Sequence, residues 1–299
     1  MITKNFKYFL LLPAIITALS LAALFMWGLK PGIDLAGGSL LQVTYTDARP
    51  EQALVRDAVQ TLGIGEVLVQ PTGENGYILR QRDLTEAEHV SLMAKLRTLG
   101  VAEEVQFSSV GPSLGAELMR KAWIAIVLVV ACIILFIAFA FRGVSKPVQS
   151  WKYGVVAIVT LLHDIVVPVG LFALLGYTHG AEVGALFIVA LLTILGISIN
   201  DTIVIFDRIR ENLRLNEERN RHEAFEGVVE RSITQTISRS INTSLTVLIV
   251  LAALWILGPV ATRDFALVLI VGMIAGTYSS IFLASPLLVA WNNWSHRAK

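Results

Sequence analysis

Six stretches of this chain are each apolar over about 20 residues, and no other feature restricts the fold as strongly. They lie near 8–29, 122–141, 153–175, 183–206, 241–258 and 265–291. Crossing roughly 30 Å of hydrocarbon takes about 20 helical residues, and within lipid the backbone must satisfy its own hydrogen bonds, so each run reads as a transmembrane helix. Composition agrees, with 55% hydrophobic and 16% charged residues against about 25% charged in a soluble domain. The first run follows Lys4 and Lys7 as a signal peptide would. It is long, however, and ends in Trp27 and Lys30 without a small-residue cleavage site, so it reads as a retained anchor. The single cysteine, Cys132, excludes an intrachain disulfide, a multi-cysteine metal site and a thiol pair, and reads as an apolar filler.

Basic residues set the orientation. Lys4 and Lys7, then Arg142, Lys146 and Lys152, then seven arginines from Arg208 to Arg239, then Arg297 and Lys299, occupy alternate connections and the termini. These segments, including a loop over 207–239, are expected on the cytoplasmic side with both termini. The opposite short connections hold one basic residue, Arg263. The 24 basic and 23 acidic residues nearly cancel, so nucleic acid is not expected as a partner.

Three regions follow: 1–29 with the first span, an external domain over 30–118, and 119–299 with the remaining spans. In the external region the pattern shortens and alternates. Ser39–Thr46, Val67–Pro71, Gly76–Arg82 and Val101–Val110 read as strands, and Pro50–Leu62 and Thr85–Leu99 as amphipathic helices. That order, β-α-β-β-α-β, predicts a ferredoxin-like α+β domain between spans one and two, a fold that by itself specifies no function. It carries no nucleophile motif, phosphate loop or metal cluster, and no catalytic residue, cofactor or metal is expected anywhere in the chain.

The residues that stand out are polar ones in apolar runs. Asp164 lies about thirteen residues into the third span, near mid-membrane. A carboxylate there costs about 2.5–3.5 kcal/mol, so it is expected to be protonated, paired or in contact with water. Pro168 cannot donate to the Asp164 carbonyl, which predicts a local opening of the helix. Asp201 lies in the fourth run beside Asn200 and Thr202. Arg239, followed by Asn242, Thr243 and Ser244, enters the fifth span at similar depth, which suggests an ion pair with Asp201. Interhelical gluing is the plainer role for the asparagines and hydroxyls. For the two acids function comes first, because ionisable groups inside a membrane usually serve one. His163 is expected to point about 100° away from Asp164 and to act either in packing or in proton relay. Gly272–Gly276 with Ser279, Ser280 and Ala284 forms a small-residue face for close helix packing. Phe225, Val229, Ile233, Ile237 and Ile241 recur every four residues and suggest an amphipathic helix lying on the inner membrane surface.

Taken together, several segments resemble the SecD/SecF family of the bacterial protein-export machinery, within the resistance-nodulation-division superfamily, and among them the SecF side. They are Gly32-Ile-Asp-Leu-Ala-Gly-Gly38, Val110-Gly-Pro-Ser-Leu-Gly115, Leu162-His-Asp164, the stretch from Ser198 to Asn212 containing Asn200-Asp-Thr202, and Ser238-Arg-Ser-Ile-Asn-Thr-Ser244. Leu35 stands where SecF chains usually carry phenylalanine, as in SecD, but SecD chains have a much larger external domain and lack the Asn-Asp-Thr sequence.

The resemblance implies an accessory subunit in the cell membrane that pairs with SecD, associates with the SecYEG channel and other Sec accessory proteins, contacts exported unfolded polypeptide and lipid, and uses the proton gradient to promote export. On it, Asp201 is a proton-responsive acid and Arg239 its partner, with Asp164 in a family motif. Movement is expected to reach the external domain through Gly32, Gly37, Gly38, Gly111, Pro112 and Gly115. The competing readings are one half of a small-molecule or lipid exporter of the superfamily, and a translocon scaffold whose acids only hold helices together.

Overall fold

The computed structural model describes residues 6–140 and 148–297; the basic residues Lys4, Arg142, Lys146 and Lys299 invoked for orientation lie outside them. Two compact units emerge, one of residues 31–124 and one of 1–30 with 125–299.

In the first unit, a short helix α2 (Ile33–Ala36) precedes β1 (Gly38–Tyr45), α3 (Gln52–Gln60), β2 (Leu68–Thr72), β3 (Gly76–Gln81), α4 (Glu86–Arg97) and β4 (Ala102–Val110). The strands form one antiparallel sheet in the order β2-β3-β1-β4, with Leu41 opposite Leu79 on one side and Phe107 on the other. Alternation explains the layering: Leu41, Val43 and Tyr45 bury one face of β1 against Val55 and Val59 of α3 and Leu92 and Leu96 of α4. Burying each such side chain stabilises by about 1.5–3 kcal/mol. Thr85 starts α4 through a capping box, accepting from the Glu88 amide while Glu88 accepts from Thr85 N at 2.9 Å.

Of the glycines expected to flex, Gly37, Gly38 and Gly115 are packed closely against backbone. Gly37 has φ +80° and Gly38 φ +131°, conformations that side-chain-bearing residues rarely adopt. A Cβ on Gly37 would sit 2.8 Å from Pro112 Cα, and one on Gly115 2.6 Å from Gly37 N. Gly32 caps α2, and Gly111 has open space around it. The turn after α2 is thus clamped against Pro112–Gly115, the start of the next helix.

That helix, α5 (Pro112–Ala140), begins ten residues before the apolar run, with Pro112 at its first position, where a missing amide hydrogen costs nothing. The others are α1 (Phe6–Trp27), α6 (Ser150–Thr178), α7 (Ala185–Glu218), α8 (Phe225–Leu257), α9 (Val260–Ser279) and, after a π-helical turn over Ser280–Ala284, α10 (Ser285–Arg297). Among the described residues, six helical segments are long and apolar enough to cross a membrane, the last combining α9, the π turn and α10. Close glycine crossings fix the packing. A Cβ on Gly170 would lie 2.4 Å from Ser20 Cα, joining α6 to α1, and one on Gly272 2.2 Å from Ile194 Cδ1, joining α9 to α7.

Two expectations fail. Helix α6 continues through Pro168 without a break, because neighbouring helices hold the chain where one hydrogen bond is missing. The expected loop 207–239 is mostly helix: α7 runs to Glu218, and the amphipathic segment is the start of α8 rather than a separate surface helix. Its apolar face has a protein partner. Phe225, Val229 and Ile233 pack with Ile205, Phe206 and Ile209 of α7 in one buried cluster, so lipid is not needed to cover them. Asn212 Nδ2 donates to Ser232 Oγ at 2.8 Å, and Asn216 Nδ2 to Glu223 Oε2 at 2.9 Å, closing the two helices into a hairpin.

Candidate functional site

The inward face of α7 is written in its spacing: Ser198, Asp201, Thr202 and Ile205 fall at i, i+3, i+4 and i+7 and are all buried. Facing it on α6, Asp164 is 0% exposed and His163 4% exposed. The Ser198 hydroxyl donates to Asp164 Oδ2, and His163 Nδ1 lies 2.9 Å from Asp164 Oδ1. Consecutive helical side chains leave the backbone in different directions, yet the imidazole folds back far enough to reach the neighbouring carboxylate. His163 Nε2 is buried without a partner.

Hydroxyl groups continue the polar interior toward α9 and the π turn. Ser280 Oγ donates to the Gly276 carbonyl at 2.8 Å, which uses its hydrogen, so the 3.0 Å contact with Thr202 Oγ1 has Thr202 as donor. By the same count Thr277, donating to the Met273 carbonyl, accepts from Ser244 on α8 at 2.6 Å. The wider π turn sits just before Pro286, and such turns are frequent at functional sites. A cavity of ≈ 90 Å³ lies beside Asp201, lined by Ser198, Thr277 and apolar side chains including Ile194, Leu251 and Met273. It has room for water next to a carboxylate that is only 7% exposed.

The sequence-derived candidates therefore divide. Asp164, Asp201 and Thr202 enter the buried interior, with Pro168 buried one turn beyond Asp164 on the same helix. Arg239, Asn242, Thr243 and Asn200 are exposed on the outer faces of α8 and α7. The Arg239 charge acts electrostatically on Asp201, but among the described residues no ion pair joins them. The buried row of α8 is Ser232, Thr236, Ser240 and Ser244, and Arg239 lies about 100° off it. Ser198, His163 as a carboxylate partner, and Ser280 as a hydrogen-bond partner of Thr202 were not anticipated. A serine three residues before an intramembrane aspartate, on the same helical face, is the signal that could have found the first. No group of three or more histidine, cysteine or carboxylate side chains that could hold a metal occurs among the described residues.

Six apolar helical spans enclosing two buried acids and a set of hydroxyls define a multi-pass membrane protein with an ionisable interior. The family described as protein export membrane protein SecD/SecF, C-terminal, matches residues 91–294, and the SecD/SecF GG motif matches residues 23–48, around the clamped Gly37 and Gly38. The chain belongs to the SecD/SecF family. It is 43% identical to protein translocase subunit SecF of Thermobaculum terrenum, over 90% of this chain and 87% of that one. It is 37% identical to SecF of Anaerolinea thermophila, over 98% and 96%. The crystal structure of SecDF from Thermus thermophilus, a translocon-associated membrane protein, superposes with a TM-score of 0.83 at 34% identity over 97% of this chain. SecDF in its super-membrane-facing form gives 0.69 at 33% over 99%. This chain spans only 38% and 39% of those two SecDF chains.

Proposed function

We propose that this chain is an accessory subunit of the Sec machinery which, with SecD, uses the proton gradient to promote protein export across the cytoplasmic membrane. The SecF names of its relatives support the export role, and a SecDF relative of more than twice its length supports partnership with SecD. The observation that carries the energy coupling is the pair of buried carboxylates, Asp164 and Asp201, on adjacent helices, with Asp164 bonded to Ser198 and Asp201 lining the same cavity as that serine. Folding six apolar helices does not require them, and each costs several kcal/mol in the membrane. A proton moving down 100 mV releases about 2.3 kcal/mol, enough to bias a repacking of helices around Asp201.

The exposed polar residues support a partner within the bilayer. Arg239, Asn242, Thr243 and Thr246 form one stripe of α8 at i, i+3, i+4 and i+7, uncovered in this chain. Lipid is a poor neighbour for such a stripe, so we assign it to the spans of SecD. The distribution of basic residues supports cytoplasmic termini and an external sheet unit, and the strand order β2-β3-β1-β4 supports reading that unit as a ferredoxin-like domain. In this reading the chain catalyses no covalent chemistry; SecYEG and the emerging unfolded polypeptide are its other partners.

The test is reporter export in vesicles containing SecD, comparing wild type with Asp201→Asn at matched protein levels, with and without a proton gradient. Loss of the gradient-dependent stimulation is expected. Full stimulation in the variant would refute the coupling role, and reduced assembly with unchanged stimulation would make the acid structural.

A further inference from the structure

Among the hydroxyl residues described in the spans, Ser198 stands out for donating to a carboxylate. Thr160, Thr193, Thr277 and Ser280 all donate to the carbonyl four residues earlier, the usual resting place for a hydroxyl in a membrane helix. Ser198 instead gives its hydrogen to Asp164 Oδ2 on the neighbouring helix, while lining the cavity that Asp201 also lines. Gly276 leaves space for it: a Cβ there would come within 3.0 Å of Ser198 Cβ.

We propose that Ser198 is a hydroxyl rotor through which Asp164 and Asp201 sense each other's protonation, an inference that rests on reading Asp201 as a proton-responsive acid. A hydroxyl has one hydrogen and two lone pairs. While Asp164 is ionised, the Ser198 hydrogen is held by its carboxylate. When Asp164 takes up a proton on Oδ2, the new carboxyl O–H donates to Ser198 Oγ, and the Ser198 hydrogen swings into the cavity. There it stabilises ionised Asp201, directly or through a cavity water. Protonating one acid thereby favours ionisation of the other, and the pair tends to hold a single proton. His163 Nδ1 keeps Asp164 Oδ1 engaged throughout, so the change falls on Oδ2.

The charged and titratable groups around the pair are few. His163 comes from its own helix, Asp201 from α7 and Arg239 from α8, where its charge acts on Asp201. Helix α9 and the π turn contribute Tyr278 and hydroxyls near this depth, α1 has no ionisable side chain between residues 9 and 27, and α10 has none before His296. Two carboxylates also repel through space with the same sign of coupling, so the rotor is the part that disappears with the hydroxyl.

The experiment is pH-difference infrared spectroscopy of the full-length chain with SecD in lipid nanodiscs, following the carboxyl stretch of Asp201 assigned with Asp201→Asn. Asp164→Asn should displace the Asp201 midpoint by about one pH unit, a tenfold change in proton affinity. In Ser198→Ala at least half of that displacement should vanish, and Ser198→Thr, which keeps a hydroxyl, should restore it. Equal displacement in wild type and Ser198→Ala overturns the rotor, as does no displacement in wild type or a loss that Ser198→Thr shares. An Asp201 band that never titrates overturns both readings. Intact rotor coupling beside undiminished export by Asp201→Asn removes the proposed function alone.

Discussion

Replacing Gly115 with alanine should loosen the sheet unit although it adds one methyl group. The added Cβ would meet Gly37 N at 2.6 Å, the Ala36 carbonyl carbon at 3.1 Å and Gly37 Cα at 3.2 Å. These are backbone atoms and cannot rotate away; the turn they belong to is held by the φ +80° of Gly37 and by pairing of Gly38 with Val110 across β1 and β4. Overpacking of this kind costs about 1–3 kcal/mol, against which alanine returns up to about 1 kcal/mol of helix propensity. A net loss of about 1–2 kcal/mol accelerates amide exchange through unit unfolding by roughly 5- to 30-fold. Hydrogen exchange on the full-length chain should show this at Leu41 and Val43 of β1 and Leu79 of β3, with the α6 and α7 amides unchanged. Gly111→Ala is the control, because nothing lies within 4 Å of its Cβ position. Unchanged protection of β1 in Gly115→Ala would refute the clamp and return these glycines to the role of hinges.

Other consequences can be measured separately. Glu88 is held down to about 2, chiefly by its hydrogen bond to Arg82 and then by those to Thr85. Because the folded value lies below the ordinary 4.5, this contribution to stability is complete above about 4.5 and is lost as pH falls toward 2. Thermal melts of the sheet unit should therefore decline over that window in wild type and more weakly in Arg82→Ala. Thr85→Ala removes the cap of α4 and should cost about 1 kcal/mol, read as faster exchange of the first α4 amides. At the α1–α6 crossing, Gly170→Ala would drive a methyl to 2.4 Å from Ser20 Cα and should lower the melting temperature of the membrane unit in detergent, whereas Gly196→Ala, with open space around it, should not.

How much of this could be read from sequence depends on what each residue must satisfy. Lipid demands apolar length, so the spans appear as runs, and the pleat demands alternation, so β1, β3 and β4 appear within one residue of their ends. Helix continuity is less legible. The period of Phe225, Val229 and Ile233 is the same whether the covering surface is lipid or α7, and only the fold decides. Depth along a helix is readable at 1.5 Å per residue, but azimuth relative to a neighbour is not, which is why Arg239 and Asp201 matched in depth while Arg239 turned outward. Ser198 escaped notice because a lone serine in an apolar run ordinarily bonds to its own helix.

Helix α7 has 34 residues and is therefore about 51 Å long, some 20 Å more than the hydrocarbon it crosses. Its protruding end is bolted to the start of α8 by the Asn212–Ser232 bond and to the connecting turn by the Asn216–Glu223 bond. Such a rod magnifies small events at its middle. A 10° tilt about the bilayer centre would swing the far end by on the order of 6 Å. A rearrangement of under an ångström between Asp201 and its neighbours would thus be legible as a displacement of the turn at 219–224, where a pair of spin labels or fluorophores could follow the working stroke without touching the acids.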